Sequence, residues 1–219
     1  MHTQSSVEAR YADAAHQAEA ALCCPVDYDP QYLKVIPQEV IEKDYGCGDP
    51  SQWLKSGETV LDLGSGTGKI AFIASQVVGA SGQVIGVDMT DAMLSVARRN
   101  APIVAERIGY SNVDFRKGRI QDLALDLELL DQALQKNPIT CSNDLKELDA
   151  LSAQLRREQP LIASESVDVV VSNCVLNLVE SIDKPQLFDE IFRVLKKGGR
   201  AVISDIVSDE PIPEKMQQD

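Results

Sequence analysis

A chain of 219 residues holds one sizeable core, or one domain with an appendage. Its 21 Lys plus Arg against 34 Asp plus Glu give a net charge of −13, which argues against nucleic acid and anionic membranes as partners. No apolar run could span a bilayer and the polar, Ala-rich N-terminus is unlike a signal peptide, so the sequence suits a cytoplasmic protein acting on a small molecule.

The first element is a helix over Ser6–Leu22, where Val7, Tyr11, Ala14, Ala18 and Leu22 recur at helical spacing. Cys23-Cys24-Pro25 ends it, and a connector with one short helix (Pro37–Lys43) runs to Tyr45-Gly46-Cys47-Gly48. A β-rich run from Thr59 then feeds Asp62-Leu63-Gly64-Ser65-Gly66-Thr67-Gly68, and a helix follows over Lys69–Val78. Glycines at alternate positions between a strand and a helix N-terminus let the backbone come close to a ligand. The spacing is G-x-G-x-G, with Asp62 two residues before the first glycine. A second strand, Gln83–Val87, ends in Asp88, where a carboxylate is placed to bind a ribose diol.

Thr90 is placed to cap the next helix, with Met93, Leu94 and Ala97 facing inward; Pro102 should kink or restart it and Gly109 end it. Asn112–Arg116 reads as the third strand. Residues 122–162 then interrupt the rhythm with two leucine stripes, Leu123, Leu127, Leu130 and Leu134, and Leu145, Leu148 and Leu155, separated by Asn137-Pro138. This predicts an inserted helical hairpin, structural rather than gating. A buried strand over Val167–Val171 leads into Ser172-Asn173-Cys174-Val175. A helix opened by Pro185 follows, with Leu187, Phe188, Ile191, Phe192 and Leu195 behind it, and Lys196–Gly199 end it before a fifth strand, Ala201–Ser204.

The five cysteines read as thiols rather than a disulfide framework in a reducing compartment. Cys174 sits at the carboxyl end of a strand, where open α/β sheets bind ligands, although a small apolar core residue is the alternative. Cys47 lies between two glycines in a turn where burial alone does not ask for cysteine. Cys23 and Cys24 are adjacent at a helix end. Thiols bind soft centres, and the close C-x₂-C pairs that zinc favours are missing. Dispersed thiols suit a three-coordinate, pyramidal ligand such as trivalent arsenic.

The glycine turn with Asp62 and Asp88 resembles the S-adenosylmethionine site of class I methyltransferases. The resemblance becomes specific in Tyr45-Gly46-Cys47-Gly48, Val60–Lys69, Gly86–Leu94, Phe115–Ile120, Val169–Leu178 and Phe192–Gly199, which look like arsenite methyltransferases from about Cys23 to Glu210, the hairpin excepted. It implies a Rossmann-like α/β sheet with helices on both faces and a methyltransferase domain (51–210), while the amphipathic helix and Cys-bearing connector of the N-terminal extension (1–50) are placed either to fold over the cofactor as a lid or merely to cover the sheet. The family's closing helix and strand pair would be missing after the fifth strand, one sheet edge would be left open, and the polar tail 211–219 would begin an absent region. It also implies S-adenosylmethionine held by Tyr45, Gly46, Asp62, Gly64, Ser65, Gly66, Gly68, Asp88, Met89, Gly118, Arg119, Ile120 and Asn173. As(III), or its thiol conjugate, would be held by Cys47 and Cys174 with Cys23 or Cys24 completing the set, and a further family cysteine lies beyond this chain. Cys141 matches nothing in the family.

The chemistry agrees with what is missing. Methylating an amine or hydroxyl usually calls for a base, often His, yet the two histidines, His2 and His16, precede the core. Thiolate-bound As(III) keeps a lone pair and needs no deprotonation, so alignment suffices. Turnover would need a thiol reductant, thioredoxin or glutathione. Two other readings stay open: a methyltransferase for an organic acceptor with packing cysteines, and a thiol module that binds metalloid without turnover.

Overall fold

The computed structural model describes residues 28–43 and 46–208. The expected helix Ser6–Leu22, the residues Cys23, Cys24 and Tyr45, and the tail 211–219 lie outside them. Five parallel strands form one sheet in the order β3-β2-β1-β4-β5: β1 Thr59–Leu63, β2 Gln83–Asp88, β3 Val113–Lys117, β4 Val167–Asn173 and β5 Leu195–Ser204. β1 and β2 are short, apolar and rich in branched residues, and both are covered on two faces, as parallel strands require. The chain order reverses between β2 and β4 on either side of β1. That leaves a crevice at the carboxyl ends of β1 and β4, where Leu63 lies opposite Val87 and Ser172.

Alternation along the strands feeds two cores. Val60, Val84 and Phe115 pack with helices α2 (Gln38–Glu42), α3 (Lys69–Val78) and α4 (Asp91–Ile108), after a short α1 (Pro30–Leu33). Leu61, Leu63, Ile85 and Val87 pack on the other face with α7 (Lys184–Val194), through Leu187, Ile191 and Val194. β4 changes side along its length. Val167 and Val170 join the second core while Val169 and Val171 join the first, because the ladder to β5 shifts register between Val167 and Val169. α3 is buried almost all round, and Phe72 meets Phe115 edge-on at 5.5 Å.

Several expectations are corrected. Pro102 does not restart α4, which runs as one helix to the left-handed Gly109; burial of Met93, Leu94, Ala97 and Val104 outweighs the lost hydrogen bond. Thr90 caps α4 by position but makes no side-chain cap bond. β3 begins one residue later than Asn112, whose side chain instead bonds α3 at Ser75 and Gly79. Phe188 (51% exposed) and Phe192 (82%) face solvent rather than the core, because α7 buries only the stripe through Leu187, Ile191 and Val194. Leu195 opens β5, and Lys196–Gly199 form the bulge within that strand rather than a stop before it.

The insertion is a helical hairpin, α5 (Leu127–Lys136) and α6 (Asp144–Glu158). α5 buries no residue, and fully buried Leu123 precedes it instead of opening its stripe. Ion pairs hold it beside the sheet: Lys117 to Asp131 at 3.0 Å and Arg98 to Glu128 at 2.6 Å. β5 is a sheet edge, with exposed Ile203, Ile206 and Val207 along it and beyond. Among the described residues no helix is long and apolar enough to cross a membrane.

Candidate functional site

A groove of about 1110 Å³, counting space open to solvent, lies over the crevice at the carboxyl ends of β1, β2 and β4. Its first wall is the turn after β1. The N–H groups of Gly64 and Ser65 donate to the Val87 carbonyl at 2.8 and 3.0 Å, and the turn closes from Gly68 N–H to the Ser65 carbonyl at 2.8 Å. Gly66 has φ +52°, and a Cβ there would meet nothing within 4 Å, so the turn's tip faces open space. The Ser65 hydroxyl is buried at the groove wall and finds no hydrogen-bond partner among the described residues. A bound polar group would satisfy it.

Asp88, ending β2, braces this turn. Its carboxylate accepts from Gly66 N–H at 2.9 Å and from Thr90 N–H at 2.8 Å, and it lines the groove. Burial pushes its carboxyl above the ordinary carboxylate value, outweighing the opposing pull of those N–H donors. Met89, Gly118 and Ile120 continue the wall, and Asp62 borders it at the end of β1. A carboxylate, a turn open to backbone contact and an apolar flank fit a nucleoside-bearing cofactor.

The second wall carries Cys174; Cys47 is joined to it but is not itself among the residues that line the groove. Asn173 ends β4 and Cys174 follows with φ +57°, a left-handed conformation rare outside glycine and concentrated at functional sites. Cys174 donates its N–H to the Ser204 carbonyl at 2.7 Å, which ties it to β5. Cys47, 127 residues earlier, lies beside it with a Cα–Cα separation of 5.8 Å, and the two sulfurs are bonded as a disulfide. Their convergence matches the sequence expectation; their oxidation corrects the expectation of free thiols. The loop that carries Cys47 hangs on Asn173, whose amide oxygen accepts from Cys47 N–H at 2.9 Å and Gly48 N–H at 3.0 Å.

Gly46, Asp62, Gly64, Ser65, Gly66, Asp88, Met89, Gly118, Ile120, Asn173 and Cys174 all line the groove. Gly68 does not; it sits at the start of α3 against Phe72 and Phe115. Arg119 does not either, being held in a bridge to Asp122. Tyr45, Cys23 and Cys24 lie outside the described residues. Cys141 is exposed in the hairpin, hydrogen-bonded to Asp144. Among the described residues no cluster of three His, Cys, Asp or Glu forms a metal site. Sequence reasoning missed Lys43, Gln121, Val179, Glu180 and Asp183 at the groove's rim. The only signal for Glu180 and Asp183 was their position shortly after Cys174.

Residues 54–219 match the family described as Methyltransferase domain. An arsenite methyltransferase of Aquipseudomonas alcaligenes is 38% identical over 205 residues, covering 92% of this chain and 49% of that protein. One of Halobacterium salinarum is 40% identical over 176 residues, covering 80% of this chain and 34% of the relative. The X-ray structure of an arsenic(III) S-adenosylmethionine methyltransferase from Chlamydomonas reinhardtii matches with a TM-score of 0.63 at 32% identity, covering 89% of this chain and 54% of that one. The chain thus spans about half the length, or less, of these relatives.

Proposed function

The chain belongs to the methyltransferase domain family, and from that premise we propose that it methylates trivalent arsenic held by its own thiolates, with S-adenosylmethionine as methyl donor. One observation carries this reading: Cys47 and Cys174, 127 residues apart, meet beside the groove whose opposite wall is the glycine turn and Asp88. The arsenite methyltransferases among its relatives support the choice of substrate.

Bound in this groove, S-adenosylmethionine supplies an electrophilic methyl group. The chain's own part is to bind and orient. Asp88 would accept from the ribose hydroxyls, the Gly64–Gly66 backbone and Ser65 would hold the aminoacyl end, and Met89 and Ile120 would flank the adenine. Before substrate binds, the Cys47–Cys174 disulfide takes two electrons from an external thiol reductant, glutathione or thioredoxin, and opens to two thiolates. Those soft sulfurs then hold As(III), with Cys23 or Cys24 as the third donor. A thiolate-bound arsenic keeps its lone pair, so no general base is required of the chain.

The test is product speciation after incubating the chain with arsenite, S-adenosylmethionine and glutathione. Methylated arsenic is expected. Methyl transfer to an organic acceptor that persists when both cysteines are replaced would overturn the reading in favour of packing cysteines, and arsenite binding without any methyl transfer would reduce the chain to a metalloid-binding module.

A further inference from the structure

The stretch Gly46–Gly48 belongs to no strand or helix, yet one of the two converging cysteines sits in it. A loop without a ladder must be held by side chains. Here one amide does most of it. Asn173 accepts from Cys47 N–H at 2.9 Å and Gly48 N–H at 3.0 Å, and its Nδ2 donates to the Gly48 carbonyl at 2.8 Å and to the Tyr28 hydroxyl at 3.5 Å. The Tyr28 hydroxyl donates to that same carbonyl at 3.1 Å. An Asn side chain offers two lone pairs and two donors, so this amide is committed to residues 28–48 and has none left for a cofactor. Asn173 also immediately precedes Cys174. The backbone that carries one cysteine therefore clamps the loop that carries the other.

We propose that Asn173 is a positioning residue that holds Cys47 in reach of Cys174, so that the two sulfurs act as one unit toward a soft ligand or toward each other. Its bearing on arsenic rests on the function proposed above; its bearing on the dithiol does not. Both polarities are needed. Asp at this position keeps the acceptor for the two N–H groups but turns a second acceptor toward the Gly48 carbonyl, and Ala removes every bond. Gly48 gives a second handle, because a Cβ there would run into the Ser204 side chain and displace the loop while the Asn173 side chain itself is kept.

The test compares the wild-type chain with Asn173→Ala, Asn173→Asp and Gly48→Ala in glutathione redox buffers. In the exchange, one oxidised glutathione takes two electrons and two protons from the Cys47 and Cys174 thiols, giving two reduced glutathione and one protein disulfide. The free fraction is read by trapping both thiols and mapping the peptides. Asn173→Ala should shift the equilibrium constant toward the dithiol by about tenfold or more, as loss of its hydrogen bonds to Cys47 and Gly48 implies. Asn173→Asp should shift it less and Gly48→Ala in the same direction. Arsenite affinity should fall in the same order and by more than S-adenosylmethionine affinity, while an unchanged far-UV circular dichroism spectrum reports that each variant is folded. An unmoved dithiol equilibrium in Asn173→Ala, or a loss confined to cofactor affinity, would overturn the proposal and make Asn173 a cofactor residue. A shifted equilibrium with unmoved arsenite affinity would uphold the positioning role and sink the arsenic assignment instead.

Discussion

The two walls of the groove are built by opposite means. The cofactor wall is local: Asp62, the glycine turn and Asp88 fall within one strand–helix–strand unit, braced by backbone bonds of 2.8 to 3.0 Å to Val87. The thiol wall joins residues 127 apart, and one of its two cysteines rides on a loop held largely by Asn173. A wall made of consecutive backbone survives most single substitutions. A wall made by one side chain should fail when that side chain is changed, so the two should separate cleanly under mutation.

The largest effect should come from the thiols. Cys47→Ser and Cys174→Ser should each abolish arsenite methylation, since a hydroxyl is a poor ligand for a soft centre, while cofactor affinity stays within about twofold. Methylated arsenic at the wild-type rate in either variant would return that cysteine to packing. On the other wall, Asp88→Ala should cost about 1.5–3 kcal/mol of cofactor affinity by deleting charge-assisted hydrogen bonds, with arsenite affinity unmoved. Calorimetric titration of each ligand separates the two outcomes.

A smaller, graded effect follows from the raised Asp88 value. Ribose hydroxyls donate, so binding selects the carboxylate; cofactor affinity should weaken as pH falls through that value and level off above it. The contribution to stability has the opposite sense. The folded apo chain holds this proton more tightly than the unfolded chain, so stability from this group is lost as pH rises from the ordinary carboxylate value to the raised one. A flat cofactor affinity across that window, or the same slope in Asp88→Asn, would remove Asp88 from the site. Smallest of all is the hairpin. Lys117→Met breaks the ion pairs to Asp91 and Asp131, whose partners are half or more exposed, and should cost less than about 1 kcal/mol in thermal unfolding and leave methylation unchanged.

What was legible in the sequence follows the same division. Strands, α3 and the glycine turn announce themselves because period and turn chemistry are local, and the helix Lys69–Val78 and the carboxyl end of β2 fall where pattern puts them. A restart at Pro102 did not occur, because tertiary burial of α4 overrides a local breaker. Phe188 and Phe192 misled because hydrophobicity alone does not say which of two adjacent stripes a helix buries. Cys47 and Cys174 stood out by residue type and resemblance, but not as a bonded pair. Cys47 N–H bonds to Asn173, and Cys174 N–H bonds across to Ser204 at the end of β5, contacts that no local pattern encodes.

The central claim is that Cys47 and Cys174 together hold the arsenic, and X-ray absorption at the arsenic edge tests it most directly. The reduced chain with one equivalent of arsenite should show an all-sulfur first shell, and Cys47→Ser and Cys174→Ser should each replace about one sulfur with oxygen. A sulfur shell identical in wild type and both variants would contradict the account.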